Sequence, residues 1–333
     1  MSRELTLITE IGTGLGMIPG LDLQDAFDTG VPHVLVGVDT GTWETLRGLW
    51  STGTYAQPFA DALADGRYFF ESELGLRRRA PLSIEWKGPH LSPEDDPLPA
   101  DLRIDGVFIV SCKSLSKVLL NPSPAALFRS ALRNPDLGGS DWYEEIAPVE
   151  LANLYKAAVR HLDLTGFPTT PSELTREKRI VLKTRLPRKW PDPLAPEVAA
   201  LVSAVSSRSA TLLNQTLATA RDRERFYWRL LRIHSAPYFI LGRQRSGPTR
   251  LRVLTPWDLR RIFSFDGLDI SPGEAGQPQV QWKASFVSRE TGFTHETEGH
   301  VEIRWSHGRF RAAPESKVYL DTAHEDACGY IPI

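Results

Sequence analysis

Asp101 and Lys113 stand at the two ends of one short segment, Asp-Leu-Arg-Ile-Asp-Gly-Val-Phe-Ile-Val-Ser-Cys-Lys. The segment reads as strand, turn, strand. Asp105-Gly106 supplies the positive-φ preference that a type I′ hairpin turn requires. Pairing outward from a two-residue turn sets Ile104 opposite Val107 and Asp101 opposite Val110. Asp101 then lies beside Ser111 and Lys113 at the open end. A carboxylate and a lysine on adjacent strand ends can hold a divalent metal and an attacking water together, which suits phosphodiester hydrolysis. Lys113 follows a run of Val, Phe, Ile and Val, so it emerges from an apolar strand, and a buried charge needs a partner.

The elements around the hairpin must position these groups. Residues 67–79 read as a helix carrying Glu71 and Glu73, with Arg77-Arg78-Arg79 at its C-terminal end. Residues 82–88 read as a strand, and the acidic, proline-rich stretch SPEDDPLP leads into the hairpin. A helix with an acid, a strand, a strand with an Asp, and a strand ending near a lysine resemble the PD-(D/E)xK nuclease superfamily. The resemblance covers roughly residues 67–130. It implies a restriction-endonuclease-like α/β core and Mg²⁺ or Mn²⁺ held by Asp101 or Asp105. It also implies that Lys113 orients or deprotonates water, or stabilises developing charge. The chain departs from the pattern at Ser111, which stands where the second acid belongs. The missing carboxylate is then expected from Glu85 or Glu73, with Asp105 as the other candidate. By the same resemblance, the expected activity is metal-dependent endonucleolytic cleavage of DNA, as in restriction or phage-defence enzymes. A homodimer or a defence-system partner protein would accompany it by analogy. One rival is a nuclease-like but inert DNA-binding or scaffold subunit.

Other motifs carry less. Gly12-Thr13-Gly14-Leu15-Gly16 reads as a flexible turn after a strand. Met17-Ile-Pro-Gly20 interrupts the helix that a dinucleotide site would need, although Asp39 follows the next apolar run. A small-molecule enzyme using that loop is the second rival. Glu85-Trp86-Lys87 is a literal ExK without a paired Asp on a preceding strand, and Ser114-Leu-Ser-Lys117 lacks the companion motifs of serine acyl-enzymes. His300, Glu302 and Arg304 share one face of an alternating strand and read as a solvated polar surface. Two basic clusters suit phosphate contact: Arg176, Arg179, Lys183, Arg185, Arg188 and Lys189 beside Trp190, and an arginine-rich C-terminal region that includes Arg243 and Arg245.

Composition sets the frame. The 333 residues suggest two domains, or one large one, and the formal charge of −2 makes any DNA-binding surface a local patch. Two cysteines, Cys112 and Cys328, fit neither a disulfide framework nor a zinc site. No apolar run approaches a membrane span, and the N-terminus lacks signal-peptide character, so a soluble cytoplasmic protein is expected. The expected architecture is α+β in three consecutive parts. Residues 1–130 form the nuclease-like α/β core, 131–236 a helical region, and 237–333 an antiparallel β region suited to nucleic acid. Within the helical part, Pro196 opens a long amphipathic pattern running to about Arg232, with a break expected at its Ser-rich middle.

Overall fold

The computed structural model describes residues 3–88, 98–114, 118–132, 141–244 and 247–333. In chain order, the elements begin with α1 (Arg3–Gly16), α2 (Leu23–Thr29), β1 (Leu35–Val36), α3 (Thr40–Ser51) and α4 (Ala56–Glu71). Next come β2 (Ile84–Trp86), β3 (Leu102–Ile104), β4 (Phe108–Ser114), β5 (Val118–Leu120) and α5 (Pro124–Leu132). The helices α6 (Trp142–Ile146), α7 (Pro148–His161), α8 (Arg176–Arg185), α9 (Ala195–Thr216) and α10 (Ala220–Leu230) follow. The last third contains β6 (Tyr238–Gln244), β7 (Gly247–Val253), α11 (Pro256–Ile262), β8 (Phe263–Glu274), β9 (Pro278–Ser288), β10 (Thr294–Arg304), β11 (Glu315–Leu320) and β12 (Tyr330–Pro332).

The fold is mixed α+β and divides into two units that the chain enters more than once. Unit 1 comprises residues 1–117, 232–262 and 323–333; unit 2 comprises 118–231 and 263–322. This division differs from three consecutive parts. The strands β6 and β7, expected in the C-terminal sheet, belong to the first unit because β6 pairs in parallel with β4.

Unit 1 is built on a mixed sheet in the order β1-β2-β3-β4-β6-β7-β12. The strands β2, β3 and β4 form an antiparallel meander, β6 runs parallel to β4, and β7 and β12 return antiparallel. A parallel neighbour needs a long crossover, and here that crossover spans all of unit 2's first segment. The core joins Ile8, Ile11 and Leu15 of α1 to Ile84, Leu102, Ile104 and Val110 of the sheet. Phe69 of α4 closes it, with ring centroids 5.6 Å from Phe108 and 4.9 Å from Phe239.

The first helix overturns the reading of residues 5–16 as a strand followed by a Gly-rich turn. LTLITEIGTGLG is helical throughout, and its glycines serve close packing. A Cβ on Gly12 would lie 2.9 Å from Ala62 Cβ, and one on Gly16 would lie 2.3 Å from the Leu63 carbonyl oxygen. From the other side, a Cβ on Gly66 would lie 2.0 Å from the Thr13 carbonyl oxygen. Thus α1 and α4 meet backbone to backbone, and no phosphate-binding loop exists there. Asp39 instead caps α3, its Oδ1 accepting from Thr42 N at 2.6 Å. The helix expected over 67–79 lies earlier, ending at Glu71, and residues 72–79 form turns in which Arg77 and Arg78 have positive φ.

Unit 2 holds an antiparallel sheet in the order β5-β11-β10-β9-β8, so a C-terminal antiparallel sheet is present as expected. On β10, Val301 and Ile303 are buried and alternate with half-exposed His300, Glu302 and Arg304. Tyr227 of α10 packs on Trp282 and Phe286 of β9. The long helical pattern breaks at Leu217, and Thr219 caps α10. Its Ser-rich middle stays helical because the buried hydroxyls have partners. Ser206 Oγ donates to Gly273 O at 2.9 Å and accepts from Gln279 N at 3.0 Å, and Ser209 Oγ accepts from Trp142 Nε1 at 3.0 Å.

Candidate active site

The hairpin forms with Asp105 and Gly106 both at positive φ, 53° and 68°, and Val107 N donating to Ile104 O at 2.9 Å. That is the expected turn. The register is one residue longer than a two-residue loop allows: Ile104 pairs with Phe108 and Leu102 with Val110. Val107 is left as an exposed extra residue. A one-residue slip exchanges faces, so Asp101 falls in register with Ser111 rather than Val110.

At this point the two strands part. Asp101 N still donates to Val110 O, but the next donor, Cys112 N, is taken by the Asp101 carboxylate at 2.6 Å. Ser111 Oγ donates to the same oxygen, Oδ2, at 3.2 Å, and Ser111 is fully buried. Lys113 lies one alternation beyond Ser111 on β4, paired with Gly242 of β6. Gly242 has φ +150°, and a Cβ there would lie 1.8 Å from the Lys113 carbonyl oxygen. Only glycine lets β6 lie this close at Lys113.

A second acid arrives from α1. Gly14 rests on Ile84 of β2, where a Cβ would be 3.0 Å from Ile84 Cγ2. One helical turn earlier, Glu10 reaches Trp86 at the other end of β2, and Trp86 Nε1 donates to Glu10 Oε2 at 2.7 Å. Trp86 pairs with Leu102, next to Asp101. Burial, and then the Asp101 charge, push the Glu10 carboxyl up to about 7, with Trp86 and Lys113 opposing. The Asp101 carboxyl is also raised, first by burial, against the pull of Lys113, Cys112 N, Ser111 and Arg232. The Lys113 ammonium is held below its usual range by burial and by Arg232, against the attraction of Asp101 and Glu10. Glu10, Asp101, Lys113 and Arg232 therefore form one electrostatic cluster. Burial, and then the Asp101 and Glu10 charges, push the neighbouring Cys112 thiol well up, away from the thiolate form.

The expected site residues separate accordingly. Asp101, Ser111 and Lys113 come together. Asp105 stays at the turn, its Oδ1 accepting from Leu82 N at 2.8 Å and Ser83 N at 2.9 Å, which ties the turn to the entry of β2. Glu73 lies in the exposed turns after α4 beside Arg77. Glu85 pairs with Lys87 at 3.1 Å on β2, on the alternate set of positions from Trp86. None of these three joins Asp101 and Lys113; Glu10 and Arg232 do. The signal for Glu10 was the spacing of Ile8, Ile11 and Leu15, which marks a buried helix face around it.

The basic clusters also divide. Arg179 is consumed by the carbonyls of Leu174, Pro171 and Phe310, and Arg185 reaches Leu162 O. Arg176 is exposed at the start of α8. Lys183, Arg188 and Lys189 line a cavity in unit 2. Arg243 pairs with Asp61 at 2.8 Å. Arg245 lies outside the described residues, as do Leu115, Ser116 and Lys117 of the SxxK segment. His300 pairs with Asp321 at 2.7 Å.

Among the described residues, no three His, Cys, Asp or Glu side chains gather at metal-ligand spacing. Two carboxylates, Glu10 and Asp101, are what this site offers. Magnesium is commonly held by one or two carboxylates with water completing its shell. Two acids, both raised by burial and one of them further by the charge of the other, are a donor set that a divalent cation would relieve. No helix is long and apolar enough to cross a membrane among the described residues. No family model, no curated protein and no solved structure matches the chain.

Proposed function

We propose that unit 1 hydrolyses phosphodiester bonds in DNA with Mg²⁺ or Mn²⁺, as a nuclease of the type that the PD-(D/E)xK resemblance implies. One observation carries the reading: Glu10, Asp101 and Lys113, from a helix and two adjacent strands, meet as mutually coupled, partly buried charges. Glu10 and Asp101 would hold the metal, which when bound supplies Lewis-acid polarisation of a phosphoryl oxygen and lowers the pKa of a bound water. The remaining chemistry belongs to the chain. Ser111 Oγ and Cys112 N fix the Asp101 carboxylate by donating to Oδ2. Trp86 Nε1 does the same for Glu10 Oε2. Lys113 Nζ donates a hydrogen bond to the attacking water, and its lowered proton affinity brings it nearer to exchanging that proton. Arg232 adds a second positive charge where charge builds on the phosphate. A restriction or phage-defence setting, with a second copy or a partner protein, is the biological role this chemistry suits.

The test is cleavage of modified and unmodified plasmid and phage DNA in Mg²⁺ or Mn²⁺. Cutting by the wild type that is lost in Glu10→Gln, Asp101→Asn and Lys113→Ala supports the assignment. Cutting that survives Lys113→Ala and Glu10→Gln refutes it. Ser111 favours a second reading, in which the fold binds DNA without cutting. In that case well-folded wild type retains DNA in EDTA and leaves it intact in both metals.

A further inference from the structure

Unit 2 contains a cavity of about 1050 Å³, just above the roughly 300–1,000 Å³ typical of ligand pockets. Its cationic lining residues are Lys183, Arg188, Lys189, Arg304, Arg309 and Lys317, and among the described residues no Asp or Glu lines it. Two of these cations are already engaged. Arg304 pairs with Glu302 at 3.1 Å, and the Arg309 guanidinium lies 3.7 Å from the Trp190 ring centroid while donating to the carbonyls of Pro187 and Arg188. These contacts hold the Arg309 guanidinium in the wall. Lys183, Arg188 and Lys189 have no carboxylate partner among the described residues. These three side chains are exposed, while the cavity floor is apolar, with Leu154, Leu201 and Val202.

The aromatic wall is the second observation. Trp190 and Trp305 have centroids 6.4 Å apart, and Trp305 is braced by Tyr143 and Phe310, each at 4.9 Å. Tyr143 is itself pinned, its hydroxyl donating to Ile303 O at 2.6 Å.

We propose that this cavity binds a nucleotide. Lys183, Arg188 and Lys189 take the phosphate, and the base packs against the tryptophan wall. Phosphate-only anions satisfy the cations but not the planar wall. The nucleotide comes either free or as one residue of a nucleic-acid strand. The assignment stands on unit 2 alone and is independent of hydrolysis in unit 1.

The test is calorimetric titration of the full chain with the four nucleoside 5′-monophosphates, ATP, adenosine, pyrophosphate and a single-stranded hexanucleotide. Arg188→Ala/Lys189→Ala changes only exposed side chains, and Trp305→Phe narrows the planar wall while keeping it aromatic. The expected result is nucleotide binding weakened at least tenfold in the double variant and several-fold in Trp305→Phe. Mononucleotide binding identifies a free nucleotide. Binding of the hexanucleotide alone, lost in the double variant, identifies a strand. Pyrophosphate binding as tightly as any nucleotide overturns the proposal. So does strand binding unchanged in the double variant, or no binding of any probe to protein whose circular dichroism and melting match a folded chain.

Discussion

Glu10→Gln tests the electrostatic cluster without a substrate. A glutamate held at about 7 instead of its usual 4.5 is stabilised in its protonated form by the fold. Its contribution to stability is therefore fully present below pH 4.5 and is lost as pH rises through 7. At roughly 1.4 kcal/mol per pH unit, ionised Glu10 costs the metal-free fold about 3 kcal/mol at pH 8 and almost nothing at pH 4. Glutamine keeps an oxygen for Trp86 Nε1, matches the shape and carries no charge at any pH. Urea denaturation in EDTA should give wild type and variant similar stability at pH 4. At pH 8 the variant should be more stable by about 2–3 kcal/mol. Using the difference between the two proteins cancels the other titrating groups to first order. Mn²⁺ should then reverse the order, stabilising wild type and leaving the variant unchanged. A variant that is equally stable or less stable at pH 8 without metal would refute the claim that Glu10 is a strained, ionisable member of this cluster.

Further predictions concern the frame. Asp105→Ala removes the one acceptor of two backbone N–H groups and puts alanine at φ 53°, so urea denaturation should show a loss of about 2 kcal/mol with any metal-dependent cleavage retained. Gly66→Ala drives a Cβ to 2.0 Å from Thr13 O, and differential scanning calorimetry should register a loss of about 3 kcal/mol; because α1 must shift, Mn²⁺ stabilisation should fall with it. Tyr143→Phe strips the buried Ile303 carbonyl of its donor and should cost about 1–2 kcal/mol in the same measurement.

The sequence carried the local parts of this architecture well. Asp105-Gly106 named its turn, the region 237–333 read as antiparallel β holds β8 to β11, and Pro196 opened α9. What it did not carry was non-local. The pairing of β4 with β6 joins segments more than a hundred residues apart, so β6 and β7 read as neighbours of the strands that follow them in sequence. LTLITEIGTGLG has the β-branched residues and glycines of a strand and turn. It becomes a helix because those glycines let α4 approach within backbone contact, a tertiary gain that no local propensity records. The site inherits that error. With residues 5–16 read as strand and turn, Glu10 has no helix to bring it to Asp101, and only Glu73, Glu85 and Asp105 stand as candidates for the missing acid.

The same electrostatics bear on why serine stands at position 111. The position is fully buried and in register with Asp101, whose carboxyl is already raised by burial, while Glu10 is already pushed to about 7. The cations answering these two acids are Lys113, itself held low by desolvation, and Arg232. A third carboxylate at 111 would sit among like charges with no further cation, and each additional ionisation in such a cluster costs more than the last. A hydroxyl asks for nothing of that kind. It donates to Asp101 Oδ2 and favours the ionised carboxylate, so it lowers the cost of keeping Asp101 charged. On the proposed reading, serine at 111 leaves Glu10 and Asp101 to carry the metal between them, and the helix-to-strand contact through Gly14 is the feature on which that geometry depends.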